Sequence, residues 1–123
     1  MIPIFPLAAG RVLVIAEAGV NHDGDLRKAK RLIEAARQAG ADAVKFQAYR
    51  TDLLVTADAP KASYQTEQTG PGGQHGMLKR LELGAGAFRE LAAFAADTDI
   101  PFLASPFDMD SLALLLELDV PAI

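Results

Sequence analysis

Residues 26–47, LRKAKRLIEAARQAGADAVKFQ, decide the fold. Their first half carries Leu26, Ala29, Leu32, Ile33 and Ala36 at helical spacing. The opposite face is basic and polar, with Arg27, Lys28, Lys30, Arg31 and Arg37, and reads as the solvated outside of a packed helix. Asp25 is the expected N-cap and Gly40 suits the position just past the C-terminus. The second half, Ala43-Val44-Lys45-Phe46-Gln47, alternates, so Lys45 and Gln47 point one way and Phe46 the other. A helix that returns at once into a strand is half of a βαβ unit, whose crossover is expected to be right-handed.

The same rhythm extends in both directions. Upstream, Val12-Leu13-Val14-Ile15-Ala16 reads as a strand that stops at Glu17. The turn-rich run Ala18-Gly19-Val20-Asn21-His22-Asp23-Gly24 then leads to the Asp25 cap. Downstream, a helix over 85–97 turns Phe88, Leu91, Phe94 and Ala95 inward, and Pro101-Phe102-Leu103-Ala104 forms a third strand ending in Ser105 before Pro106. A last helix is capped by Asp108, with Leu112, Leu115 and Leu116 on its buried face, and Val120-Pro121-Ala122-Ile123 reads as the opening of a fourth strand. The fold class expected is α/β: a partial (β/α)8 barrel of about three units of parallel sheet. Because such a barrel takes about 250 residues, the 123 residues are expected to be the N-terminal portion of one larger barrel domain. Between strand two and its helix, residues 49–83 are long and polar, with a short helix expected over 77–83. A loop of that length is generally a functional lid or a mobile segment.

Composition narrows the chemistry. Half the residues are hydrophobic and the net charge is −4, which fits one globular unit and argues against a nucleic-acid footprint. With no cysteine there is no disulfide, thiolate catalysis or Cys-ligated zinc, in keeping with a reducing compartment. Residues 1–10 are apolar but lack a basic leader and hold two prolines. They read as an extended lead-in or a small strand closing the barrel's bottom, not a signal peptide. No apolar run approaches the roughly 18 residues of a membrane span. A cytoplasmic location without membrane contact is expected.

Glu17, Lys45, Gln47 and Ser105 thus stand at one end of a parallel sheet, where barrel enzymes place their active sites. Several ordered motifs here resemble the sialic acid synthase family (N-acetylneuraminate, legionaminate and pseudaminate synthases). They are the run from Ile15 to Asp25, the strand from Ala41 to Gln47, and Phe102-Leu103-Ala104-Ser105-Pro106-Phe107. The loop segments Ala62-Ser63-Tyr64-Gln65 and Met77 to Leu83 resemble its bacterial branch.

That resemblance implies a TIM-barrel transferase of sialic acid biosynthesis, active as a homodimer. It would condense phosphoenolpyruvate with an N-acetylated hexose such as N-acetylmannosamine, or a 2,4-diacetamido sugar, to a nine-carbon 2-keto sugar acid with release of phosphate. It further implies Glu17, Lys45 and Gln47 as catalytic residues, with Lys45, Gln47, Ser105 and Tyr64 binding substrate. A divalent cation, Mn2+ or Mg2+, would polarise the aldehyde. Its histidine ligands lie in later barrel strands and a C-terminal antifreeze-like domain completes the site, so this chain is expected to hold no metal and to be inactive alone.

Blander readings stand beside these. Glu17 and Lys45 could be a structural ion pair, Gln47 a satisfied amide, Ser105 turn punctuation, and Tyr64 a surface tyrosine. His22 is expected to hydrogen-bond backbone and shape its loop, since a lone histidine lacks the spacing of a ligand set. His75, in a Gly-rich stretch, is expected to be solvated. The rivals for the whole are another phosphoenolpyruvate-dependent keto-deoxy sugar acid synthase, or a non-catalytic half-barrel assembly module.

Overall fold

A computed structural model describes residues 10–56, 58–70 and 72–123, with only the backbone of Gln68 and Thr69. The expected lead-in strand lies outside the described residues. Three strands, β1 (Ile15–Gly19), β2 (Ala43–Ala48) and β3 (Phe102–Pro106), form a parallel sheet in the order β1-β2-β3. Helix α1 (Leu26–Gln38) joins the first two strands. Helices α2 (Thr51–Leu54), α3 (Ser63–Thr69), α4 (Gln74–Leu81) and α5 (Ala85–Asp97) lie between the last two, and α6 (Met109–Glu117) follows β3. Neighbouring strands that follow chain order, each joined through helix, are three consecutive units of a (β/α)8 barrel. No helix among the described residues is long and apolar enough to cross a membrane.

One face of the sheet makes the core. Ala18, Val44, Phe46, Ala48, Phe102 and Ala104 are buried there, against Ala29, Ile33 and Ala36 of α1, Phe88, Leu91 and Ala95 of α5, and Leu115 of α6. Phe46 and Phe102 stack at 5.5 Å between ring centroids, with Phe88 edge-on to Phe102 at 6.4 Å. Each buried phenylalanine contributes about 2–3 kcal/mol of transfer free energy. On the other face, Ala43 and Leu103 are buried near the N-terminal ends of their strands with Leu13 and Ala122. Beyond them that face turns polar.

The helices α1, α5 and α6 end alike. Gly40, Asp99 and Asp119 adopt positive φ of 80°, 58° and 52°. The next residues, Ala41, Ile100 and Val120, donate N–H back to Ala36, Ala95 and Leu115. This closes the orphan carbonyls and drops an apolar residue toward the core. Asp25 caps α1 by accepting from the N–H of Arg27 at 2.8 Å, and Asp108 caps α6 through Ser111 N at 2.8 Å. On the polar side of α1, Lys28 pairs with Asp23, Lys30 with Glu90 of α5 at 2.5 Å, and Arg37 with Asp99 at 3.5 Å.

Four expectations are corrected. The first strand begins at Ile15 and runs through Glu17 to Gly19, and Val12 and Val14 are exposed, because the partner strand β2 begins only at Ala43, opposite Ile15. Leu116 is 64% exposed; Leu114 and Leu118 pack on the core in its place, since α6 is presented to the sheet through Leu115. Among the described residues, Val120–Ile123 joins no strand, and Pro121 has no N–H to offer a ladder. The fourth concerns residues 49–83, which are not an open loop but three short helices, the last beginning at Gln74 rather than Met77.

Tertiary ties hold that segment. Tyr49 donates its hydroxyl to the Leu78 carbonyl at 2.7 Å, and Thr51 N donates to Glu82 Oε1 at 2.6 Å. His75 Nε2 meets Asp52 Oδ1 at 2.7 Å, so His75 is paired rather than merely solvated. At the exit of β2, Arg50 N donates to Asp108 Oδ2 at 2.7 Å and its guanidinium reaches Asp110 at 2.6 Å. Partial burial opposes the charge of Asp108, but the N–H groups of Ser111 and Arg50 outweigh it and hold its carboxyl below the usual range. The C-terminal ends of β2 and β3 are thereby clamped together.

Candidate active site

The polar half of the inner face is built by strand register. Glu17 stands opposite Lys45, Lys45 opposite Leu103, and Gln47 opposite Ser105. Side-chain alternation sends Lys45 and Gln47 to this face while Val44, Phe46 and Ala48 enter the core. Lys45 Nζ lies 3.0 Å from Glu17 Oε2. All four predicted strand residues therefore share one face toward the C-terminal ends of the strands, the functional end of a barrel. Tyr64 does not join them by any described hydrogen bond; it lies on α3 and is 62% exposed.

Lys45 is only partly buried. Its side chain is 36% exposed and that of Glu17 48%, because no described segment covers this part of the face. An ion pair so exposed contributes about 0–1 kcal/mol, which is little for a structural role. What the pair does hold is geometry: a carboxylate fixes the direction of an ammonium that still faces open space.

A bulge sets the carboxylate. After Glu17 pairs with Lys45, the next partner of β2's Phe46 is Gly19, so Ala18 is the extra residue. Gly19 has φ of +53°, and a Cβ there would come to 3.3 Å from Glu17 Oε1. Bulges re-aim side chains beside active sites. The sequence reading missed this, although a glycine at a strand end is the signal for it.

Behind the bulge the loop is shaped by His22, buried and stacked at 6.1 Å on Phe46. Its Nδ1 accepts from Gly24 N at 2.9 Å, as expected for a loop-shaping histidine. Burial pushes its pKa below the ordinary value, outweighing nearby Asp23. A histidine whose folded pKa is depressed favours the unfolded state once that state protonates. The fold should therefore keep its full stability above about pH 6.5, the unfolded histidine value, and lose some as pH falls below it. Urea midpoints at pH 7.5 and 5.5 check this, and His22→Gln should shrink the difference between them.

Among the described residues no three histidine, aspartate or glutamate side chains converge on a point that could hold a metal ion. The inner face offers one carboxylate, Glu17, already paired with Lys45. These residues do not by themselves fit a divalent cation.

Beside Gln47 the face opens into a cavity of about 360 Å3 walled by Tyr49, Leu54, Val55, Gln74, Leu78 and Phe107. Sequence reasoning missed these residues, which come from four separate segments.

Comparison with known proteins bears on family and fold. Residues 32–123 match the model of the NeuB family. An N,N'-diacetyllegionaminic acid synthase of Campylobacter jejuni is 47% identical over 109 residues, which are 88% of this chain and 33% of that protein. An enzyme of the same name from Legionella pneumophila is 44% identical over 108 residues, 87% of this chain and 30% of that one. The crystal structure of a sialic acid synthetase from Leptospira borgpetersenii superposes with a TM-score of 0.68 at 32% identity, over 93% of this chain and 38% of that one. The chain thus spans about a third of the length of the curated relatives it matches.

Proposed function

Because this chain belongs to the NeuB family, we propose that the full-length protein is a synthase of the sialic acid type. It joins phosphoenolpyruvate to an open-chain N-acetylated amino sugar and gives a nine-carbon 2-keto sugar acid and phosphate. The observation that carries this reading is the shared inner face: an ammonium steered by a carboxylate, with an amide and a hydroxyl one step further along the strands.

In the reaction, C3 of phosphoenolpyruvate forms a bond to the aldehyde carbon, whose carbonyl electrons pass to oxygen and are met by a proton. Water adds at C2, the bond from C2 to the phosphate oxygen breaks, and inorganic phosphate leaves. Lys45 suits the anionic groups of phosphoenolpyruvate, since a net acidic chain needs locally placed cations to hold them. The Ser105 hydroxyl would donate to the same anion. Gln47, opposite it, offers an N–H toward the sugar carbonyl and Glu17 an acceptor for a sugar hydroxyl. A divalent ion would polarise the aldehyde, and its ligands would come from residues outside these 123. The partner subunit of a homodimer completes the proposal.

The test is a synthase assay on the full-length protein with Mn2+, phosphoenolpyruvate and N-acetylmannosamine, N-acetylmannosamine 6-phosphate, a 2,4-diacetamido-2,4,6-trideoxyhexose or arabinose 5-phosphate. Phosphate release together with a 2-keto acid product is expected with an N-acetylated acceptor. Turnover of arabinose 5-phosphate alone would assign the protein to the keto-deoxy sugar phosphate synthases instead.

A further inference from the structure

We propose that His22 is a positioning residue for the Glu17–Lys45 pair, acting through the acceptor lone pair of its Nδ1. This rests on the synthase reading and deepens it, by adding a residue that serves the reaction from behind the sheet. His22 is 1% exposed and its ring lies on Phe46 of the core face, so it meets no substrate directly. Its influence has to travel through the backbone it holds.

That backbone runs from the bulge to the cap of α1 as a series of turns. The Asn21 N–H donates to the carbonyl of Ala18, the extra residue of the bulge, at 3.0 Å. The N–H of Asp23 donates to Val20 at 3.1 Å and that of Asp25 to His22 at 2.9 Å. These bonds are internal to the loop and do not fix it against the sheet. His22 does so twice. Its Nδ1 accepts from Gly24 N at 2.9 Å, and its ring lies 6.1 Å from that of Phe46 at an interplanar angle of 25°. Phe46 is the residue that Gly19 faces straight after the bulge, and it stands between Lys45 and Gln47 in β2. One side chain thus joins the loop leaving β1 to the strand that carries Lys45.

The acceptor is needed because the turn it closes is strained. Asp23 has φ of +55° beside Gly24 at +75°. A left-handed aspartate persists only where its surroundings hold it. Burial favours the neutral imidazole against the pull of Asp23, so Nδ1 keeps its lone pair and the ring proton lies on Nε2. The carboxylate depends on the outcome. Glu17 Oε1 stands 3.3 Å from where a Cβ of Gly19 would lie, so a shifted bulge displaces it, and with it the ammonium it meets at 3.0 Å. A displacement of about 1 Å near reacting groups costs about 10^2-fold in rate.

His22→Asn and His22→Leu in the full-length protein test this. Their side chains have the same branching and nearly the same size, and only asparagine keeps an acceptor where Nδ1 stood. Steady-state kcat/KM for phosphoenolpyruvate is the readout, with circular dichroism as the folding check. His22→Leu should fall below His22→Asn by about tenfold or more, the scale on which a displaced group acts. If either variant does not fold, His22→Phe, which keeps a ring on Phe46 without an acceptor, is compared with the parent and should show the same loss. The comparison is repeated with Glu17→Gln, which still accepts from a sugar hydroxyl but no longer steers the ammonium by charge. There the loss should shrink by about threefold or more, because residues that act through one another are not additive. Equal kinetics with and without the acceptor, or the same loss in both backgrounds, overturns this inference and leaves the synthase reading standing. Absence of turnover by the parent with every acceptor overturns both.

Discussion

Replacing Lys45 by methionine should lower kcat/KM for phosphoenolpyruvate by about 10^2- to 10^3-fold, with a thermal midpoint almost unchanged. Methionine keeps the length and apolar stem of lysine and removes only the charge, so the loss reads the ammonium alone. Removing one preorganised donor from a charged site costs about 2.7–4 kcal/mol of transition-state stabilisation. The stability side is small because both partners of the Glu17–Lys45 pair are substantially exposed, and such pairs contribute about 0–1 kcal/mol. A structural lysine would show the opposite split, with stability falling and kinetics intact. Lys45→Arg should recover only part of the activity, since a planar fork does not replace a compact point charge at the same reach. Steady-state kinetics paired with thermal unfolding check this, and an unaltered KM and kcat in Lys45→Met remove Lys45 from the site.

How much of this was legible in the sequence differs by element. The unit from α1 to β2 could be read because its signals are local: Asp25 caps, Gly40 terminates, and alternation sorts Lys45 and Gln47 from Phe46. The first strand was placed too early because an apolar run such as 12–16 does not say where its hydrogen-bonding partner begins. Pairing with Ala43 sets that start at Ile15. Helix α2 carried no usable period and α4 was placed three residues late, since both are short and held by distant groups. Glu82 reaches Thr51, His75 reaches Asp52, and Tyr49 reaches Leu78. Partial burial works against the charge of Glu82, yet the Thr51 N–H and Lys79 hold its carboxyl below the usual range, so charge helps fix a polar segment that also buries Tyr49 and Met77. The same division runs through the site. Its charged and polar strand residues follow from a period of two, whereas the cavity beside Gln47 is assembled from residues 49, 54–55, 78 and 107, whose proximity only the fold creates.

The largest expected effect on stability belongs to a position without a side chain. Gly24 has φ of +75°, and a Cβ built there would lie 2.2 Å from the Arg80 carbonyl oxygen and 3.3 Å from its carbon. Backbone cannot rotate out of the way as a flexible side chain would, so either the loop or the end of α4 must move. Each movement has a specific consequence. Shifting the loop strains the Gly24 N–H to His22 bond beside Phe46 and the Asp25 cap of α1. Shifting α4 disturbs the Leu78 carbonyl that holds Tyr49, and with it the cavity beside Gln47. Gly40 separates the two contributions, because it has a similar φ of +80° and nothing within 4 Å of its missing Cβ. Gly40→Ala should therefore lose only the left-handed backbone penalty, about 1–2 kcal/mol. Gly24→Ala should lose about 3 kcal/mol or more, the scale reached when strain and overpacking combine. Urea unfolding of the two variants side by side is the measurement, and equal losses would mean that α4 does not press on the loop after β1.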